Sequence, residues 1–486
     1  MSRTPSSRTP SHAPRRRPAA GPARRPRPAS SSRAERSAAQ SADRELTTWF
    51  EKSAAESPLP TETSFSALGL PQQLVTALER RGIRTAFPIQ AATLADCLTG
   101  RDVLGRARTG SGKTLAFGLP MIARLTGGSR SPRTPRGLVL VPTRELAVQV
   151  RDVLEPLGHA VGVKTVAIYG GASIGRQVAV LERGVDIVVA TPGRLLDLVE
   201  RRALTLAACE VTVLDEADHM ADMGFLPDVS RLLDMTPVDS QRLLFSATLD
   251  GAVGALVRRY LTDPVARAVD SVDSHITTME HRALVVRSEH KVDVLAEIAA
   301  RPARTLLFVR TKHGADRLAK QLERAGVAAE AIHGNRSQGQ RQRALDAFTR
   351  GESRVLVATD VAARGIDISN VDLVVHADPP NDHKDYLHRS GRTARAGAAG
   401  VVVSLLAPDQ VRASTALFGK AGVHVTPVNA VPGSPAVREL AESGEPVDVL
   451  PRPRVQPATR PDGGPARGGR PPRSRRPRGA RRPVGR

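Results

Sequence analysis

Residues 107–114 read ARTGSGKT and follow a short apolar run at 102–105. Gly110 and Gly112 permit a backbone that turns several N–H groups toward phosphate oxygens. Lys113 can then reach the terminal phosphates, and the Thr114 hydroxyl can ligate magnesium. A helix opening at this point would add its positive dipole end. Ala107 stands where the general pattern has its first glycine. The plainer alternative, a Gly-rich turn without a ligand, would not need Lys113 and Thr114 at those places. A second apolar run, 211–214, ends in the sequence DEAD at 215–218. Asp215, at the carboxyl end of a strand, can hold Mg²⁺ through water, and Glu216 is placed to orient and deprotonate an attacking water. An acidic turn alone is usually a solvated helix start; beside a phosphate loop it becomes a site for ATP hydrolysis. A third segment, HRSGRTAR at 388–395, carries Arg392 and Arg395 on one face if helical. A guanidinium brought to the γ-phosphate from another domain acts as an arginine finger. A basic surface helix explains that segment equally well in isolation.

Elements must hold these groups in place. Apolar, β-branched runs recur at 137–141, 164–168, 185–190, 211–214 and 242–245, and again at 305–309, 354–358, 371–375 and 400–405. Continuous apolar strands alternating with helical stretches predict buried parallel sheets in an α/β protein. The rhythm is lost around 264–280. The expected organisation is therefore a tail over 1–62, an ATP-binding domain over 63–268, a linker over 269–280, a second domain over 281–425 and a second tail over 426–486. Whether the two domains share a fold is not readable from one sequence.

The net charge of +22 is unevenly placed. Residues 1–40 hold ten Arg against Glu35, and residues 451–486 hold twelve Arg against Asp462, leaving 49 basic and 47 acidic side chains between them. A uniformly basic, histone-like protein is thereby disfavoured. Both tails lack Phe, Tyr and Trp, so they cannot offset the entropy of ordering and are expected to be disordered. Arg-rich chains bind phosphate backbones without reading sequence. A solubilising tail or an organellar transit peptide is the rival reading, the latter opposed by seven prolines in residues 1–40. No segment approaches the length of a membrane-spanning apolar run. Cys97 and Cys209 fit no zinc spacing and read as core residues in a reducing compartment, which predicts a cytoplasmic protein.

Taken in order, the motifs resemble those of the DEAD-box RNA helicases, superfamily-two ATPases, over about 65–420. Phe65 and the segment ending Pro88-Ile89-Gln90 resemble the adenine-reading Q motif. ARTGSGKT, PTRELA (142–147), Gly170-Gly171, TPGR (191–194), DEAD and SAT (246–248) follow. The second half adds LFVRTK (307–312), HGNRSQ (333–338), TDVAARGID (359–367) and HRSGRTARAG (388–397). The segment 333–338 resembles the bacterial RhlE-like branch.

The resemblance implies two tandem RecA-like domains with ATP and Mg²⁺ as cofactors. It implies that Gln90 reads the adenine edge while Phe65 stacks on its face. Thr109, Gly110, Ser111, Gly112, Lys113 and Thr114 would hold the phosphates, with Thr114 and Asp215 at the metal and Asp367 at the ribose. Asp218, Ser246, Thr248 and His388 would couple nucleotide state to RNA, and Arg392 with Arg395 would complete the site. RNA contacts are implied for Arg144, Glu145, Gly171, Thr191, Gly193, Arg194, Thr359, Arg364 and Gly365, a set suited to sequence-independent backbone binding. The chain departs from the family at Ala86 and Phe87 (usually Pro-Thr), Arg108 (Gln), Arg310 (Asn) and Ala394 (Gly). The expectation is a monomeric RNA-stimulated ATPase that unwinds short duplexes, with ribonucleoprotein or RNA-processing partners. Rival readings are a DNA-directed ATPase of the same superfamily, or an ATP-independent RNA chaperone acting through the tails.

Overall fold

The computed structural model describes residues 33–56, 63–107, 110–249, 251–269, 279–363, 371–394 and 400–446, residues 33–40 by backbone alone. The linker's 270–278 and the tails beyond these bounds lie outside the described residues. Among the described residues there are two seven-stranded sheets, and every strand pairing in them is parallel. The first runs β3-β4-β2-β5-β6-β1-β7, with β1 Val103–Arg106, β2 Gly137–Leu140, β3 Thr165–Ile168, β4 Ile187–Ala190, β5 Val211–Asp215, β6 Gln241–Ser246 and β7 Val265–Ala268. The second runs β10-β11-β9-β12-β13-β8-β14, with β8 Met279–Val285, β9 Thr305–Phe308, β10 Ala329–Ile332, β11 Val355–Ala358, β12 Leu373–His376, β13 Gly400–Leu406 and β14 Val428–Asn429. Counted within each domain, the two strand orders are identical, so the halves do share a fold.

Alternation of side chains across a strand explains why both faces are apolar. Val103, Val139, Val213 and Leu243 pack into one core of the first domain, while their neighbours Leu104, Leu138, Leu140, Leu214 and Leu244 pack into the other. Leu307, Val357 and Val375 likewise face one side of the second sheet, and Leu306, Leu356 and Val374 the other.

Three boundaries differ from expectation. The helix Arg33–Ala55 lies inside the segment assigned to a disordered tail. Its Leu46, Phe50 and Ala54 fall at four-residue spacing and pack on the first domain beside β7, with Phe50 fully buried. At the other end, the helix Pro435–Ala441 sits within the expected second tail, and its Val437 and Leu440 join the core of the second domain. The arrhythmic stretch contains β7, and the expected linker already holds the first residues of β8. These strands carry Arg267, Glu280, His281 and Arg282 and so lack a continuous apolar run.

Candidate ATP and RNA site

The motifs of the first domain follow the carboxyl ends of its strands, the edge where open α/β sheets bind ligands. After β1, the loop takes Gly110 and Gly112 at φ +85° and +89°, in the left-handed region, and the helix Lys113–Leu125 begins. A Cβ on Gly112 would stand 2.4 Å from Gln90 Nε2 and 2.9 Å from the Phe87 ring, so the position has room only for glycine. The Gln90 carboxamide braces this turn: Nε2 donates to the Gly112 carbonyl at 3.0 Å, and Oε1 accepts from the Phe87 N–H at 2.9 Å. One amide hydrogen and one acceptor lobe remain for a base edge. Lys113 is buried and donates to the Ala107 carbonyl at 2.9 Å. Phe87, Gly110, Lys113, Thr114, Asp215 and Glu216 line one cavity, with Ser111 half-buried in the turn beside it. Phe65 does not reach this cavity. Its ring belongs to the apolar core, and the half-exposed aromatic at the cavity wall is Phe87. Thr109 lies outside the described residues.

Only β6 separates β5 from β1, which brings the acidic strand end beside the phosphate loop. Burial raises the Asp215 carboxyl above its ordinary range against the opposing Lys113 charge. Burial is also the largest influence on Glu216. The hydrogen bond and charge of His219, with the charges of Lys113 and Arg392, together outweigh it and hold Glu216 low. Glu216 itself adopts φ +52°, ahead of the short helix Ala217–Asp222. Asp218 is brought to β6: its N–H donates to Ser246 Oγ at 3.3 Å, and its Oδ2 accepts from the Ala247 and Thr248 N–H groups at 3.2 Å each.

The second domain meets this edge through the helix His383–Ser390, capped by Asp382. Arg392 is not on that helix, as one-face spacing required; it lies in the turn beyond it, because the helix ends at Gly391. His388 and Arg392 nevertheless line a small interdomain cavity with Lys113, Glu216, Asp218 and His219. The turn is anchored by Arg389, which sequence reasoning passed over. Arg389 makes paired bonds to Asp360 at 2.5 and 2.8 Å and a third to the Asp378 carbonyl at 2.7 Å. Ala394 sits at φ +53°, the conformation that explains why glycine is commoner there. Arg364, Gly365, Asp367 and Arg395 lie outside the described residues.

The segments assigned to RNA converge after β2, β3 and β4. Arg144 opens the helix Arg144–Ala160 and lies over Gly171, where a Cβ would stand 2.4 Å from Arg144 Nη1. Arg194 donates to the Ala172 carbonyl at 3.1 Å, and Thr191 and Gly193 sit at the start of the helix Pro192–Glu200. Thr359 follows β11 and is buried. Glu145 makes its side-chain contacts across the domains. Its carboxylate is buried and joins the domains, taking Arg341 Nη2 at 2.8 Å and Gln338 Nε2 at 2.9 Å from the helix Gln338–Thr349. No local motif announces a pair so distant in sequence.

A phosphate loop and an acidic strand end on one parallel sheet, faced by an arginine from a second sheet of the same order, define the tandem nucleotide-binding core of superfamily-two helicases. Residues 87–255 match the DEAD/DEAH box helicase family, and residues 290–397 match the helicase conserved C-terminal domain. The DEAD-box ATP-dependent RNA helicase CshA of Bacillus subtilis is 40% identical over 349 residues, covering 71% of this chain and 70% of CshA. The chloroplastic DEAD-box ATP-dependent RNA helicase 3A of Zea mays is 43% identical over 392 residues, 79% of this chain and 52% of the relative. The chain thus spans about half the length of the maize relative. Dbp5 of S. cerevisiae bound to RNA and ADP BeF3 superposes with a TM-score of 0.68 at 29% identity, covering 78% of this chain and all of Dbp5's. The chain belongs to the DEAD-box ATP-dependent RNA helicases.

Proposed function

We propose that the protein is an RNA-stimulated ATPase that opens short RNA duplexes as its two domains close. The observation that carries this reading is the interdomain cavity, which holds Lys113 and Glu216 from one domain and Arg392 from the other. Neither domain has the full set, so closure would assemble the site and couple hydrolysis to RNA binding. Gln90 would read adenine, with Phe87 the aromatic available at the cavity wall. Residues 109–114 would hold the phosphates and Asp367 the ribose. Glu216 would orient the water that attacks the γ-phosphorus as the bond to the β-phosphate oxygen breaks, and Arg392 and Arg395 would stabilise the charge that develops.

The donor set fits magnesium. The Thr114 hydroxyl and Asp215 carboxylate are hard oxygen ligands, and a cation would offset the burial that raises Asp215. Among the described residues no cluster of three or more His, Cys, Asp or Glu could hold a metal, so the remaining ligands would be phosphate and water. Bound there, Mg²⁺ would neutralise the β- and γ-phosphate oxygens. Arg144, Gly171, Thr191, Gly193, Arg194, Thr359, Arg364 and Gly365 would hold the RNA backbone, while Asp218, Ser246, Thr248 and His388 would relay nucleotide state to it. The basic tails would keep RNA nearby. No described helix is long and apolar enough to cross a membrane. Both cysteines are free and buried, which agrees with a cytoplasmic setting. An RhlE-like placement rests on the sequence at 333–338 together with the compact body. The test is ATPase activity of the full chain with RNA, with DNA and without either, in wild type and Glu216→Gln. RNA-specific stimulation lost in the variant is expected. Equal stimulation by DNA would overturn the RNA assignment, and annealing that needs no ATP would mark a chaperone.

A further inference from the structure

His219 follows the DEAD run directly and drew no assignment from the sequence. It sits three residues beyond Glu216, on the first turn of the helix Ala217–Asp222, where side chains three apart meet. Its Nδ1 lies 3.3 Å from Glu216 Oε2, and both side chains are more than nine-tenths buried. Nε2 is buried without a hydrogen-bond partner. The ring lines the same interdomain cavity as Lys113 and Arg392.

We propose that His219 is a positioning residue for Glu216: its Nδ1–H holds one carboxylate oxygen in place and so fixes the geometry in which Glu216 orients the attacking water. An ionised carboxylate only accepts, so the shared bond requires the hydrogen on Nδ1. The need for such a pin follows from the backbone. Glu216 enters the helix from the left-handed region, so its side chain leaves at an angle that the helix does not fix. A water-orienting group works only when its geometry is held.

The inference rests on Glu216 being the group that orients water, so Glu216→Gln is run beside it. In the full chain at saturating RNA, His219→Leu should lower kcat about tenfold, with KM for ATP and the RNA concentration for half-maximal rate within about twofold. His219→Asn, whose amide N–H falls close to the place of Nδ1–H, should recover most of the loss. Unchanged kcat in His219→Leu would overturn the proposal. So would equal impairment in Asn and Leu, or a KM that rises in step with a fall in thermal midpoint, since either marks a purely structural residue. Activity persisting in Glu216→Gln would instead unseat the reading of the site on which the proposal stands.

Discussion

The two domains share one strand order, yet the same topological positions serve different ends. After the first strand of the first domain comes a loop with two left-handed glycines, and Lys113 opens the following helix. After the first strand of the second domain, 286–290 contain no glycine and no left-handed residue, and Lys291 opens the following helix. At the end of the fifth strand the first domain places Asp215 and then Glu216, and just past its fifth strand the second places Asp378. In the second domain the lysine and the carboxylate have met: Lys291 Nζ lies 2.6 Å from Asp378 Oδ1. In the first, the loop holds Lys113 on the Ala107 carbonyl, beside the cavity. The lysine and carboxylate of the second domain are thus spent on each other, while the glycine loop keeps Lys113 beside the cavity.

The largest expected effect tests that contrast. Lys113→Ala should reduce RNA-stimulated ATPase by about 10²-fold or more, the scale of losing a group that meets developing charge. Lys291→Ala should stay within about twofold, because a half-exposed ion pair contributes only ~0.2–1 kcal/mol to stability. Comparable losses in steady-state rate would erase the distinction between the domains.

The next effect concerns how each domain is completed. The first borrows the helix Arg33–Ala55. Asp43 of that helix accepts from the Gly251 N–H at 3.0 Å and pairs with Arg258 at 3.2 Å, while Phe50 fills the core and lies under the Arg106 guanidinium. The second uses the helix Pro435–Ala441. Phe50→Ala should destabilise the first domain by about 3 kcal/mol, as for a buried aromatic truncated to a cavity. Urea unfolding followed separately in each domain would register it; a shift confined to the second domain would contradict the docking.

How much of this was legible in the sequence depended on locality. The strands buried on both faces, β2, β4, β5, β9, β11 and β12, stood out as apolar runs. β7, β8 and β10 did not, since each interleaves charged residues with apolar ones, as in Ala329-Glu330-Ala331-Ile332. The order of the motifs located the candidate site. Its side-chain partners stayed hidden because they are set by tertiary contact: Glu145 with Arg341, Arg389 with Asp360, His219 with Glu216. Phe65 and Phe87 show the same limit, because which ring enters the core is decided by packing. The N-terminal helix was obscured by composition, its apolar stripe following directly on an Arg-rich stretch.

The contact between the domains ranks third. Arg341→Ala leaves Glu145 buried without its counter-charge, a loss felt only when the domains are together. ATP-dependent RNA affinity should weaken about tenfold, equivalent to ~1.4 kcal/mol, while the urea midpoint of each domain stays put. Isothermal binding with and without a nucleotide analogue separates the two. Weakening that is equal in both conditions would assign Glu145 to RNA itself.

The smallest effect is a pH dependence belonging to the second domain alone. Burial alone would raise the Asp378 carboxyl, but the Arg310 N–H, the Lys291 bond and the charges of both residues outweigh it and hold Asp378 below its ordinary value. A carboxyl with a lowered folded pKa stabilises the fold above its unfolded value of about 3.9 and loses that contribution as pH falls through the folded value. Wild type should therefore exceed Asp378→Asn in urea midpoint at neutral pH, with the gap closing below about pH 4. The first domain should give the same midpoint in both proteins at each pH. A gap that persisted into strong acid would mean that the carboxamide itself disturbs the site, and that the charge of Asp378 is not what stabilises the domain. The ion pair would then no longer be the second domain's counterpart of Lys113 and its acidic neighbour Asp215.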